Sequence, residues 1–318
     1  ALASGSLALM LQAVLMLLLS VQVAFAQAPA AGQPLQLLAS PSDMSLLLRV
    51  AERAGYLGAG GLKVRMGDCS SGVDCGDRLL AGEADVVTAS AMPVVFAGLA
   101  GRELVVLGGI AAERNVVGLV ADARSGVRQA QDLVGRRVGL VKRASGHYVL
   151  DMLALSHGFE PERVRRVGMR ADQVADAFGR GEIDAALIWS PHLDRAVATL
   201  GEHALQLPLP ALYTATYNLV TTREVLAQRG GAIRELLRAV ARAERWVADR
   251  PAQARAMLAR PGRSEASLAR VWDNLRPAVS IEPSLALQMR SIGRWAVREG
   301  HAPQRPWFDP AQMIEPGP

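Results

Sequence analysis

The stretch 132–191 constrains the fold more than any other part of this chain. It opens as Asp132-Leu-Val-Gly-Arg-Arg-Val-Gly-Leu-Val141 and closes as Gly181-Glu-Ile-Asp-Ala-Ala-Leu-Ile-Trp-Ser-Pro191. Residues 137–141 read as a short strand that runs into a polar turn at 142–146, with a helical pattern from His147 onward. The second half reads as a helix closing at Gly181, then a buried strand at 185–189 and another polar turn. Two parallel strands with helical crossovers present their carboxyl ends on one sheet edge, which is where open α/β sheets bind ligands. Binding of a small molecule is the first functional expectation.

The same alternation precedes and follows this stretch. Strands are expected at 34–39, 62–66, 84–88 and 103–110, with helices at 44–54 and 77–81 and from Pro93. After a strand at 115–121 the pattern restarts. It has helices at 129–133, 147–157, 171–180 and 191–200 and strands at 137–141, 164–167 and 185–189. A return strand is expected at 214–221. Helices follow at 231–249, where Ile233, Leu236, Leu237, Val240, Ala243 and Val247 form a stripe, and at 251–258, 265–274 and 283–299. The tail from His301 to Pro318 reads as irregular. The expected class is α/β, with mixed, mostly parallel sheets and helices on both faces. The expected domains are a first lobe of 34–114 with 215–318 and a second lobe of 115–214, with a ligand cleft between them.

The first 26 residues carry no Asp, Glu, Lys or Arg, and the run from Leu7 ends in Ala24-Phe25-Ala26. That pattern predicts a signal peptide at 1–26, a flexible mature start at 27–33 and a periplasmic protein; an uncleaved membrane anchor is the alternative. The formal net charge is +5, and only Lys63 and Lys142 among the basic residues are lysine. The arginines are interspersed with acids and make no basic stripe with aromatics, so nucleic acid is not an expected partner. A mild positive field favours an anionic ligand.

The two cysteines, Cys69 and Cys75, stand in a Ser/Gly-rich segment. In an oxidising compartment such a pair forms a disulfide, and closing so short a loop stabilises by roughly 2 kcal/mol. A metal or redox pair is the alternative, but the spacing is not Cys-x-x-Cys and no His is near in sequence.

Several segments, in order, resemble one family. Ala51-Glu-Arg-Ala-Gly55-Tyr56-Leu57 leads into Gly61-Leu62-Lys-Val64. Ser71-Gly72 is followed by Leu80-Ala-Gly82-Glu-Ala-Asp85. Further along come Asp132-Leu-Val-Gly135, Gly181-Glu-Ile-Asp184 through Trp189 and Pro191, and then Arg238 to Ala243 with Trp246 and Pro251. Over roughly 37–307 the chain resembles the periplasmic substrate-binding proteins of ABC importers for nitrate, sulfonates, taurine and thiamine-precursor pyrimidines. The resemblance implies a type II two-lobe fold, a small-molecule ligand and a membrane permease with its ATPase subunits as partner. A monomer is expected. Leu57 departs from the family's usual Phe, and the cysteine pair is not a general family feature. The Cys-rich iron motif of the pyrimidine-making enzymes of this fold is absent from the sequence.

Polar turns at strand ends and helix N-termini suit anions, because free N–H groups and the helix dipole point outward there. Four turns fit this description: Ser40, Ser42, Asp43 and Met44; Ser90, Ala91 and Met92; Arg143, Ser145, His147 and Tyr148; and Trp189, Ser190 and His192. The resemblance places ligand contacts in these turns and near Tyr213. The candidate ligand-binding residues are therefore Ser40, Asp43, Met44, Ser90, Met92, Arg143, Ser145, His147, Tyr148, Trp189 and Tyr213. Ser145 can instead cap a helix, Asp43 can cap or meet a cation, and Tyr148 can be core. Arg143 suits an acid group, and Met44 and Met92 suit an organic one. No catalytic residue, cofactor or metal site is expected: the chain lacks a Gly-x-Ser-x-Gly elbow, and none of its five His are paired at metal spacing. A ligand-sensing domain coupled to a membrane signalling protein is the alternative to transport.

Overall fold

The computed structural model describes residues 33–210, 212–281, 284–303 and 309–315. The expected signal peptide at 1–26 and nearly all of the 27–33 stretch lie outside the described residues. Residues Pro34–Pro318 form one compact unit. No helix among the described residues is long and apolar enough to cross a membrane.

Two sheets organise this unit. The strands are β1 (Leu35–Ala39), β2 (Val64–Asp68), β3 (Val86–Ser90), β4 (Val105–Arg114), β5 (Gly118–Asp122), β6 (Arg137–Leu140), β7 (Arg165–Gly168), β8 (Ala185–Ile188), β9 (Ala204–Leu207), β10 (Thr214–Thr221) and β11 (Leu275–Arg276). Six form one sheet in the order β11-β4-β10-β3-β1-β2, and five form another in the order β7-β6-β8-β5-β9. β1 runs parallel to β2 and β3, and β6 runs parallel to β7 and β8. β10 is antiparallel to β3 and β4, β11 to β4, and β5 to β8 and β9.

The sheets are thus evenly mixed rather than mostly parallel. Strand-helix-strand spacing governs β1–β3 and β6–β8, where a crossover helix forces parallel pairing. The antiparallel pairs come from the strands at the two crossings, where the chain leaves the first sheet after β4 and returns to it at β10.

The inner strands β5 and β8 of the second sheet bury both faces. Leu119, Ala121, Ala185 and Leu187 point into one apolar cluster, and the alternate residues Val120, Ala186 and Ile188 point into another with Val174, Phe178 and Leu193. Period-two alternation with both sets apolar is what a strand covered by helices on each side requires. In the first sheet the helix Ala91–Leu99 is buried at every position.

Several boundaries differ from expectation. The helix after β6 starts at Ser145, two residues early, and runs to Ser156. Gly146 permits this: a Cβ there would lie 2.4 Å from the carbonyl oxygen of Leu187, so the helix start and β8 can touch only through glycine. The helix in the cysteine segment starts at Gly72, where Ser71 accepts a hydrogen bond from Asp74 N–H, rather than near Asp77. The long helix Arg223–Asp249 runs through Gly230 and Gly231, capped by Thr222 and held by its buried apolar stripe. The short strands β9 and β11 carry too few residues for a pattern to show in the sequence. Cys69 and Cys75 are joined in a disulfide with their Cα atoms 5.4 Å apart.

Candidate functional site

Parallel pairing brings the carboxyl ends of β1 and β3 to one edge, and those of β6 and β8 to another. Ser40 follows β1. Its N–H donates to Thr88 Oγ1 at 3.0 Å, and its hydroxyl hydrogen-bonds the Tyr217 phenol, which also accepts from Thr88 Oγ1 at 3.2 Å. Burial pushes the Tyr217 phenol above its ordinary value, although its hydrogen bonds pull the other way, so it stays a neutral O–H. Ser42 Oγ accepts from Met44 N–H at 3.3 Å and thereby shapes the turn.

These residues line one cavity. Ser40, Ser42, Met44, Ser90, Ala215 and Tyr217 belong to the first sheet and its turns, and Gly72, Val73 and Pro93 to the helices packed on it. Val116, Ala144, Ser145 and Trp189 come from the first crossing and from the turns of the second sheet. The enclosed space is about 30 Å³, room for a couple of water-sized groups. Three helices begin at its wall: Gly72–Leu80, Ala91–Leu99 and Ser145–Ser156. Ser90 is the N-cap of the second without its side chain capping it, and Ala144, the N-cap of the third, has no side-chain oxygen to offer. Ser145 is therefore the first helical residue rather than a cap. First-turn N–H groups, hydroxyls and the positive ends of helix dipoles converge here. None of the described lining residues carries a charge.

Ser40, Met44, Ser90, Ser145 and Trp189 thus meet as a group. The remaining candidates do not line this cavity. Asp43 is buried and turned away from it, where it accepts from Arg263 Nη2 at 2.7 Å and pairs with Arg260. Its role is to meet cations of the chain itself. Arg263 also reaches Asp194 at 2.7 Å, and Ser267 Oγ donates to Asp194 at 3.1 Å. Burial alone would lower the Arg263 guanidinium, but its bonds to the two carboxylates outweigh that and raise it. Met92 is fully buried in the core. Arg143 is half exposed and pairs with Asp77 at 2.9 Å.

His147 packs edge-on against Trp295 and lies 4.1 Å, centroid to centroid, from the His301 ring. Burial, with the nearby His301, Arg166 and Lys142 charges, lowers its pKa to about 3, so it is neutral. Tyr148 packs against Tyr213 and Trp295. Tyr213 is buried with its hydroxyl lacking a hydrogen-bond partner among the described residues, and burial raises its phenol well above the ordinary value. His192 is buried at the start of the helix His192–Leu200, and Ser190 faces a second cavity instead.

That second cavity holds about 360 Å³ and shares Val116 with the first. Glu113, Asn115, Gln206 and Arg270 stand on its wall. Burial and the nearby Asp43 raise the Glu113 carboxyl to about 8, against the opposing pull of Arg263 and Arg270.

Sequence reasoning missed Gly72, Val73, Ala215 and Tyr217 as wall residues. The helix at Gly72 was expected only from Asp77, and Ser71 three residues before Asp74 was the available signal that it starts earlier, at the cavity wall. Tyr217 lies mid-strand in an alternating run, and only the pairing of Tyr217 with Ser90 across β10 and β3 brings it to the site.

Over residues 45–254 the chain matches the family described as NMT1/THI5 like. It is 23% identical over 207 residues to an Escherichia coli K12 protein whose name assigns it, provisionally, to binding aliphatic sulfonates; the match covers 65% of each chain. The chain spans less than two thirds of the length of such curated relatives. The alkanesulfonate-binding protein SsuA of Xanthomonas axonopodis pv. citri, solved with MOPS bound, superposes with a TM-score of 0.76 at 20% identity, covering 90% of this chain and 99% of that one. The aliphatic sulphonate binding protein SsuA of Escherichia coli gives 0.69 at 19% identity, covering 89% and 97%. The fold is therefore that of the periplasmic binding proteins.

Proposed function

The chain belongs to the NMT1/THI5-like family, and on that premise we propose that it is a periplasmic solute-binding protein that hands a small organic anion to an ABC-type import permease. One observation carries this reading. Ser40, Ser90, Ser145 and Tyr217 converge with three helix N-termini and Trp189 on a cavity whose described wall residues bear no charge. Such a site suits an oxyanion head group, because hydroxyls and backbone N–H groups supply donors along directions a sulfonate or carboxylate can accept from. The apolar residues Met44, Val73, Val116 and Ala215 give its organic part a surface to lie on. Relatives named for sulfonates support the choice of anion.

In this reading the two sheets with their helices, 34–114 with 215–318 and 115–214, act as lobes. The present space is too small for an organic anion, so the guest enters when the lobes part and is enclosed as they close around it, as in hinge-closing binding proteins. The permease reads the closed form. Bond-breaking plays no part.

Calorimetric titration with alkanesulfonates, taurine, aromatic carboxylates, pyrimidines and nitrate tests this. The expected result is one-to-one binding of an organic anion that Ser145→Ala and Trp189→Leu weaken without loss of fold. Failure of every organic anion to bind a folded sample would overturn it.

A further inference from the structure

Outside the cleft, one cluster of side chains has the chemistry of a metal site. His147 and Asp151 stand four residues apart on the helix Ser145–Ser156, so they share one face. His301 reaches them from the turn that ends the helix Leu285–Arg298. There Gly300 adopts a positive φ of 69°, and His301 N–H closes the turn on the Ala296 carbonyl at 2.7 Å. One ligating atom from each of the three residues lies within 4.8 Å of the others. A tetrahedral zinc with bonds of about 2.0–2.1 Å spaces its ligand atoms about 3.3 Å apart, so small side-chain rotations suffice.

The surroundings are arranged as a metal's supporting shell would be. Asp151 is 1% exposed. Arg166 Nη2 holds its Oδ1 at 2.7 Å, and Trp295 Nε1 donates to Oδ2 at 3.0 Å. Those two donors fix the carboxylate's orientation, as outer-shell partners of metal carboxylates do. His301 Nε2 already lies 3.0 Å from the same Oδ2. His147 is buried, and its Nδ1 has no hydrogen-bond partner among the described residues. A buried imidazole with an unpartnered ring nitrogen, one of whose nitrogens lies within reach of a second imidazole and a carboxylate, has ligating capacity that the described residues leave unused.

We propose that His147, Asp151 and His301 bind a divalent transition-metal cation of the zinc type. Two imidazoles and one carboxylate suit zinc, with a water completing four-coordination. The Arg166 guanidinium on Oδ1 leaves Oδ2 as the coordinating atom and keeps affinity below that of a site without a neighbouring cation. The metal ties the helix that starts at Ser145 in the cleft wall to the helix Leu285–Arg298, which packs on the buried helix Ala91–Leu99 of the first sheet. It therefore links the supports of the two sheets. Neither His157 nor His203, the other histidines outside the cleft turns, belongs to the cluster.

The test is titration of untagged, chelator-treated protein with Co²⁺ and Zn²⁺. The readouts are visible absorption, calorimetry and melting temperature. The expected result is one equivalent of Co²⁺ with the intense bands of four-coordination, displaced by Zn²⁺, and a melting temperature that rises with Zn²⁺. His301→Gln, at the helix end, weakens binding at least tenfold, and His147→Gln with His301→Gln abolishes it while circular dichroism stays unchanged. Absence of stoichiometric binding in the parent overturns the proposal, as does equal binding in the double variant.

Discussion

Arg263 grips Asp194 with two of its nitrogens, Nη2 at 2.7 Å and Nε at 3.0 Å, in a place where both side chains are almost wholly hidden from solvent. Asp194 rides on the helix His192–Leu200 over the second sheet. The same guanidinium holds Asp43, next to the cleft turn that follows β1. A single cation thus connects an element of each sheet to the C-terminal helical segment.

Removing that cation leaves the buried Asp194 carboxylate, among the described residues, with only the Ser267 hydroxyl and leaves Asp43 with Arg260 alone. Arg263→Met is expected to cost about 3–5 kcal/mol, read as a lowered urea midpoint. Arg263→Lys rescues little of it, because an ammonium cannot reproduce the fork that contacts Asp43, Asp194 and the Leu258 carbonyl together. A Lys variant as stable as the parent would contradict this.

In the cleft, Ser145→Ala removes a hydroxyl without removing a cap, since the helix has Ala144 as its N-cap. An unchanged melting temperature is expected together with organic-anion affinity about tenfold weaker, the worth of one hydrogen bond to a charged group. Tyr217→Phe behaves differently. It breaks the links to Ser40 and Thr88, so stability falls by about 1 kcal/mol along with affinity.

Glu113 makes stability depend on pH. Its carboxyl is raised to about 8 from an ordinary 4.5, so between those values the folded chain holds a proton that the unfolded chain has released. Its contribution is complete below pH 4.5 and is lost as pH rises through about 8. Glu113→Gln cannot titrate. Its urea midpoint is expected to fall less than the parent's between pH 5 and pH 8.5, and parallel profiles would refute the assignment.

The disulfide Cys69–Cys75 brackets Ser71 and Gly72, the start of a helix that faces the cleft. Cys69→Ser with Cys75→Ser is expected to cost about 2 kcal/mol and to weaken ligand binding as well. Calorimetry on reduced and oxidised protein separates the two effects: equal affinities would show that the bridge serves stability alone.

Much of this was legible in the sequence because it is local. Strand-helix alternation, the glycine turns and the hydroxyls at or just past the ends of β1, β3 and β6 are set by residues close in sequence, and Ser40, Met44, Ser90, Ser145 and Trp189, which share one cavity wall, were singled out that way. What escaped depends on distant partners. Asp43 sits in a turn of the right composition, yet whether it faces the cleft is decided by Arg260 and Arg263, more than two hundred residues away. The evenly mixed character of the sheets follows from strands at the crossings, whose direction no periodicity records. The neighbours His147 and His301 are separated by about half of the chain, so spacing alone could not pair them.

The uncharged lining of the cleft has a consequence for selectivity. A host that offers only fixed dipoles to its guest commits no counter-ion, so discrimination falls to contour and donor direction rather than to valence. Raising ionic strength, which erodes attraction between exposed charges, should leave such recognition nearly intact in briny and dilute surroundings alike.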